Sequence, residues 1–312
     1  MNLSKENQTL LALLGYALFG RELNISAEGV DWNQVIAQAD RHVVTAFLYP
    51  VVKRLAGVPE AVIARARNAA MLAAAKSDDM LHIQDEVVAC LAEKGIPCAV
   101  LKGFSAARCY PYPELRMPGD IDLLVGAEKI DAARAELEQH GFHDDHETVM
   151  HISLEGKGAT LELHRSASVF PENEKGRYAS AYMENALQSV EQGVIRARAF
   201  PVLSLPQQLI SLLAHTERHM GSVGIGLRQI CDWAITVHAH REEIGEGSLR
   251  RSTSAACFAL RRSSRGCARD IWGCHRLRGR RMYRTRWRMP SCWTSSNQAT
   301  STCMAAQTAS AL

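Results

Sequence analysis

No run of eighteen apolar residues occurs in the 312-residue chain, so no membrane-spanning helix is expected. The start, Met1-Asn2-Leu3-Ser4-Lys5-Glu6-Asn7, lacks the basic-then-apolar order of a signal peptide, and a cytoplasmic location is the expectation. Paired cysteines are also lacking. Only Cys90, Cys98, Cys109 and Cys231 fall in the first 247 residues, and none forms a Cys-x-x-Cys pair. They read as reduced, mostly buried thiols rather than a disulfide framework. Internal repeats and low-complexity linkers are absent before residue 247. What remains is a chain with 47% hydrophobic residues, enough for a core in one large domain or two modest ones.

Lysine, valine and glutamate are absent from residues 248–312, which hold thirteen Arg and a single acid, Asp270. That segment carries +12, so with +3 overall the rest carries 3 − 12 = −9. A basic arm for nucleic acid is one reading, but nucleic acid is not the favoured partner of so acidic a body. The composition breaks abruptly near Gly247, where five of nine Cys and three of five Trp follow with no helical or strand period. A gene read out of frame accounts for this. Shifting the codons of Ile271-Trp272-Gly273-Cys274 by two bases forces Leu or Met, then Gly, then Leu, Val or Met, then Pro or Ser. Residues 247–312 are therefore expected to be an aberrant, frameshifted or disordered tail.

The chemistry-bearing stretch is Leu101-Lys102-Gly103, followed after sixteen residues by Asp120-Ile121-Asp122-Leu123-Leu124-Val125. On a strand, side chains alternate, so Asp120 and Asp122 share one face while Ile121 and Leu123 enter the core. Two like charges side by side repel, and a cation between them relieves the conflict. Hard oxygen ligands suit Mg²⁺, commonly held by carboxylates together with substrate phosphates. A glycine turn upstream lets phosphates approach the backbone. The alternative is a strand edge with surface acids, which the apolar neighbours disfavour.

Leu101-Lys102-Gly103, Tyr110-Pro111-x-Pro113-x-x-Arg116 and Gly119-Asp120-Ile121-Asp122-Leu123-Leu124-Val125 together resemble the uncharacterised bacterial nucleotidyltransferases of the polymerase-β-like superfamily. The resemblance is specific over about residues 95–165, extends over roughly 5–240, and is absent afterwards. The superfamily's usual turn is Gly-Gly or Gly-Ser, whereas here Lys102 precedes Gly103 and Phe104 follows it. The resemblance implies a third carboxylate on a following strand, and Glu162 in Leu161-Glu162-Leu163-His164 is the match. It further implies a nucleoside triphosphate co-substrate, a hydroxyl acceptor of unknown identity, and two Mg²⁺ ions about 3.5–4 Å apart.

The fold expected is α+β: a small mixed, antiparallel-containing sheet flanked by helical N-terminal and C-terminal regions. The divisions are 1–94 helical, 95–204 nucleotidyltransferase core, 205–246 helical and incomplete, and then the tail. Residues 5–20, two segments within 31–56, and 60–94 read as helices. A strand at 97–102 leads into a helix from Phe104 to Tyr110. Pro111, Pro113 and Pro118 make a loop. Glu128–His140 reads as a helix, Thr148–Leu154 and Ala159–His164 as paired strands, and Ala197–Leu203 as another strand. Leu205–Met220 and Ile225–His240 read as helices.

Asp120, Asp122 and Glu162 are thus the candidate metal ligands and catalytic residues. Lys102 and Gly103 are placed to meet phosphate, with a strand-end surface lysine as the bland alternative. Arg116 either clamps phosphate or pairs with a carboxylate of the site. His164, on the same face as Glu162, either orients a ligand or packs in the core. His215 and His219 share a helix face and with Asp232 suggest zinc, although structural or substrate-contact roles are preferred. His143, His146 and His151 read as surface residues beside a turn. Three functions stay open: a Mg²⁺-dependent nucleotidyltransferase, a toxin–antitoxin transferase acting on protein or tRNA, and an inactive binding module with a protein partner.

Overall fold

The computed structural model describes residues 3–167, 170, 174–220 and 225–244. All lie in the unit Met1–Gly266; the second unit, Cys267–Leu312, and the tail expectation fall outside the described residues. Helix α1 (Lys5–Phe19) opens on Ser4, whose side chain accepts from the Asn7 amide, and closes on left-handed Gly20. Helix α2 (Trp32–Arg41) is capped by Asp31, which accepts from the Asn33 and Gln34 amides. The second helix expected before residue 56 is instead a 3₁₀ turn, Thr45–Leu48, running into the short α3 (Tyr49–Val52). Pro50 explains the break, because a ring without an N–H starts a helix more readily than it continues one. Pro59 leads into α4 (Glu60–Glu93), 34 residues long, which stops before left-handed Gly95.

The strand expected at 97–102 is only β1 (Ala99–Val100), and α5 (Gly103–Ala107) ends three residues before Tyr110. The proline loop follows, holding a single 3₁₀ turn at Pro113–Leu115. After it come β2 (Ile121–Leu124) and α6 (Ile130–Gln139). Strands β3 (Phe142–Glu147), β4 (His151–Gly156) and β5 (Ala159–His164) form an antiparallel meander. Lys157 and Gly158 both have positive φ, as a two-residue hairpin turn requires. Helix α7 (Glu174–Met183), β6 (Glu191–Ile195), β7 (Arg198–Val202), α8 (Leu205–Met220) and α9 (Leu227–Ala239) complete the described part. His143 and His146 lie within β3 rather than in a turn, and His151 opens β4.

The seven strands run in the order β3-β4-β5-β2-β1-β7-β6. The pairs β2/β5 and β1/β7 are parallel and the others antiparallel, which makes the sheet mixed. One face buries Val100, Ile121, Leu123, Leu161 and Leu163 with Leu91 of α4 and Leu137 of α6. The opposite face buries Ala99, Leu101, Leu124 and Leu203 with Met183 and Ile210. The period of two along a strand puts Asp122 and Glu162 on the second face. Helices α8 and α9 pack on each other, and α9 also contacts α1 and α5. The architecture is α+β, a mixed sheet with helices before and after it in the chain.

Candidate active site

Two central strands set the geometry. Parallel pairing of β2 with β5 places Asp122 opposite Glu162 and Leu124 opposite His164. Asp120 stands exposed just before β2, while Asp122 is buried. The carboxylates of Asp120, Asp122 and Glu162 offer three oxygen atoms within 4.8 Å of one another. The Asp122 charge raises the Asp120 carboxyl above the usual range, with Lys102 opposing. Burial alone would also raise Asp122, but the Lys102 ammonium and the His164 ring hold it well below that range. One carboxylate is thus firmly ionised, and its neighbour is under the like-charge stress that a cation relieves.

Lys102 reaches this site from a strained backbone. Its φ of +42° lies in the region L residues avoid, and its carbonyl accepts from the Ser105 hydroxyl at 2.7 Å. Its Nζ lies 2.5 Å from Asp122 Oδ1. Gly103 continues the turn at φ +31°, and a Cβ there would lie 3.7 Å from the Asp120 carbonyl oxygen. His164 Nε2 donates to Asp122 Oδ1 at 2.9 Å and lies 3.2 Å from Glu162 Oε2. Burial lowers its affinity for a proton, but these two acceptors outweigh burial and the His164 pKa rises. His151 Nε2 lies 3.6 Å from Glu162 Oε1, and Ser153 sits opposite Glu162 across the β4/β5 ladder. Both His151 Nε2 and Ser153 Oγ are buried and have no hydrogen-bond partner among the described residues. His151 is therefore part of the site, not the surface residue expected.

Arg116 is buried and committed to a carboxylate from α9. Its Nε donates to Asp232 Oδ1 at 2.8 Å and its Nη2 to Oδ2 at 2.7 Å, while the Tyr110 hydroxyl donates to Oδ1 at 2.7 Å. Of the two readings of Arg116 this geometry is the carboxylate pair, with Asp232 rather than with Asp120, Asp122 or Glu162. The His215 and His219 rings lie 4.2 Å apart between centroids, but Asp232 is engaged with Arg116 and joins them in no ligand cluster among the described residues. Burial, then the Lys102 charge, keeps His215 neutral, its pKa lowered to about 2.

Lys102, Gly103, Asp120, Asp122, His215 and Arg228 line one cavity of about 130 Å³. Arg228, at the start of α9, was not among the sequence candidates. Its Nη1 donates to the Met117 carbonyl at 3.1 Å, and its Nη2 lies 4.0 Å from where a Gly119 Cβ would be. Nothing local marks it, because it arrives more than a hundred residues after Asp120 and Asp122 by the packing of α9. A larger groove of about 600 Å³ between α2 and α4 is lined by Ile36, Val62, Asp40 and Arg65. It holds none of the metal-ligand clusters found among the described residues.

The Asp-x-Asp thus stands beside a Lys-Gly turn, with Glu162 in register on the adjacent strand of a mixed sheet. The chain belongs to the family described as "Uncharacterised nucleotidyltransferase", whose model matches residues 28–273. The match begins later than residue 5 and runs beyond residue 240, so the family likeness does not stop where the sequence reading ended it. No curated protein matches significantly. Solved structures similar to the chain include ANT(2")-Ia in complex with adenylyl-2"-tobramycin, at 15% identity and TM-score 0.43, covering 59% of this chain and 99% of that one. Another is the lincosamide antibiotic adenylyltransferase LnuA, lincomycin-bound, at 14% identity and TM-score 0.34, covering 51% and 94%. A third is an antigenic nucleotidyltransferase-like protein from Paracoccidioides brasiliensis, at 14% identity and TM-score 0.36, covering 58% and 94%.

Proposed function

We propose that the protein transfers a nucleoside monophosphate from a nucleoside triphosphate to a hydroxyl acceptor, releasing pyrophosphate. The observation that carries this is the in-register pair Asp122 and Glu162, joined by Asp120 with donor oxygens within 4.8 Å. The donor set is all oxygen, two buried polar atoms beside Glu162 lack a hydrogen-bond partner among the described residues, and Asp120 bears like-charge stress, so these residues fit Mg²⁺. Asp120, Asp122 and Glu162 would hold it, and when bound it supplies charge neutralisation on the phosphates and on the attacking oxygen.

The remaining work falls to the protein's own groups. Lys102 and Arg228 line the cavity from opposite elements and supply cations for phosphate oxygens. A volume of about 130 Å³ admits phosphates but is below the usual size of a pocket for a whole small molecule. The nucleoside and the acceptor then lie toward its mouth. Glu162, half-buried beside His151 and His164, takes the proton of the acceptor hydroxyl at a carboxylate oxygen. The deprotonated acceptor oxygen attacks the α-phosphorus, forming the new O–P bond as the bond from that phosphorus to the leaving pyrophosphate breaks. His164 fixes the Asp122 carboxylate through the 2.9 Å hydrogen bond, so catalysis rests on positioning and charge.

The test is pyrophosphate release with each nucleoside triphosphate, Mg²⁺ and cell extract, comparing the wild type with Asp120→Asn. The amide keeps the side-chain volume but removes a charge, and turnover is expected to be lost with the fold intact. Unchanged pyrophosphate release in that variant refutes the ligand assignment.

A further inference from the structure

A second cluster lies on the other side of the sheet, where α4 meets α6. Cys90 comes from the last turns of α4, and Glu136 with His140 from one face of α6 and its C-terminal cap. Cys90 Sγ lies 3.5 Å from His140 Nδ1 and 3.8 Å from Glu136 Oε1, and His140 Nδ1 lies 3.5 Å from the same Oε1. A tetrahedral ion with a metal–sulfur bond of about 2.3 Å and metal–nitrogen and metal–oxygen bonds of about 2.0–2.2 Å has edges of about 3.3–3.6 Å between such ligands. The three observed separations come within a few tenths of an ångström of those edges. The residue types agree: thiolate, imidazole and carboxylate are zinc ligands, and a thiolate is a poor ligand for Mg²⁺. Cys90 and Glu136 are buried, while the His140 side chain is 47% exposed, which leaves a water-accessible fourth position.

We propose that Cys90, Glu136 and His140 form a Zn²⁺ site that clamps α6 to α4, separate from the carboxylates of β2 and β5. On binding, the Cys90 thiol loses its proton to solvent and the metal–sulfur bond forms. His140 Nδ1 exchanges its 2.9 Å contact with the Glu136 carbonyl oxygen for the metal, and the ring proton moves to Nε2. Thiolate and carboxylate then neutralise the ion. Lys94 stays on the second Glu136 oxygen, 3.0 Å away, and orients the carboxylate from outside. The clamp fixes the helix that directly follows the strand carrying Asp122.

Equilibrium dialysis of the reduced full-length protein against Zn²⁺ alone tests this, with metal counted per chain. The wild type should bind one equivalent more than Cys90→Ser and one more than His140→Ala. The five cysteines beyond residue 247 contribute equally to all three proteins and cancel in the difference. Co²⁺ in place of Zn²⁺ should give a thiolate-to-metal charge-transfer absorption whose intensity drops in both variants. His140 is half-exposed, so His140→Ala keeps its fold and decides the matter should Cys90→Ser not fold by circular dichroism. Equal metal counts and equal absorption in wild type and His140→Ala would overturn the site.

Discussion

Lys102 shows how one side chain serves two states. Its ammonium sits 2.5 Å from Asp122 Oδ1, where a metal ligand needs a free lone pair. A cation entering the carboxylates must compete with it, and the released ammonium is then available to phosphate. Lys102→Ala therefore has effects of opposite sign. Mg²⁺ alone should bind more tightly, because a competing charge is gone. The triphosphate should bind more weakly, by about ten- to a hundredfold, the worth of one charge-assisted hydrogen bond of about 1.5–3 kcal/mol. Calorimetry of each ligand in turn separates the two, and equal triphosphate affinity in variant and wild type returns Lys102 to a structural role. At this scale the sequence was legible where the chemistry is local. Asp120 and Asp122 are two apart on an apolar run, and alternation places Glu162 between core leucines. Arg228 and Ser153 were not legible as parts of the site, nor was Asp232 as the partner of Arg116, because the partners lie 111 to 116 positions away or across a ladder whose register the sequence does not print.

Among the elements, α9 is tied to the proline-rich loop by a buried triad of Tyr110, Arg116 and Asp232. The loop immediately precedes Asp120, so the triad fixes the entry to β2 against the helix that carries Arg228. Buried ion pairs add little net stability when complete but are costly to break, since a lone charge stays desolvated. Arg116→Met should therefore destabilise the fold by about 3–5 kcal/mol in denaturant titration. The double variant Arg116→Met with Asp232→Leu should recover much of the loss, and a double variant as unstable as the single one contradicts the argument. Helices α1, α2, α4, α8 and α9 were readable from apolar spacing and caps. Strand β3 was not, because Phe-His-Asp-Asp-His-Glu is an edge strand with one buried residue and no apolar alternation. Strand β6 escaped for the same reason, with only Gly193 and Ile195 buried in Glu-Gln-Gly-Val-Ile. The helix expected through Tyr110 stops early because Tyr110 turns its hydroxyl to Asp232 and stacks its ring on Phe47, 5.1 Å between centroids.

For the molecule as a whole, charge decides how ligands and stability are linked. Residues 1–247 carry −9, and the structure gathers Asp120, Asp122 and Glu162 at one point of that acidic body. A cation bound there removes repulsion present only in the folded state, so it stabilises by mass action. Mg²⁺ alone must displace Lys102 and gains little. Mg²⁺ with a triphosphate gives Lys102 and Arg228 a new partner, and the combined effect should exceed the sum of the separate ones. At a ligand concentration one hundred times Kd the gain is about 2.7 kcal/mol. For a folded body of this size that raises Tm by about 5–10 °C. Thermal unfolding with Mg²⁺, with triphosphate, with both, and with both plus chelator measures it. In Asp120→Asn the metal-free Tm should rise slightly, because the strongest like-charge contact at the site is relieved, while the ligand-dependent increment should vanish. An increment of equal size in Asp120→Asn would show that the triphosphate is held without the carboxylates, which removes the physical basis for placing the chemistry on β2 and β5.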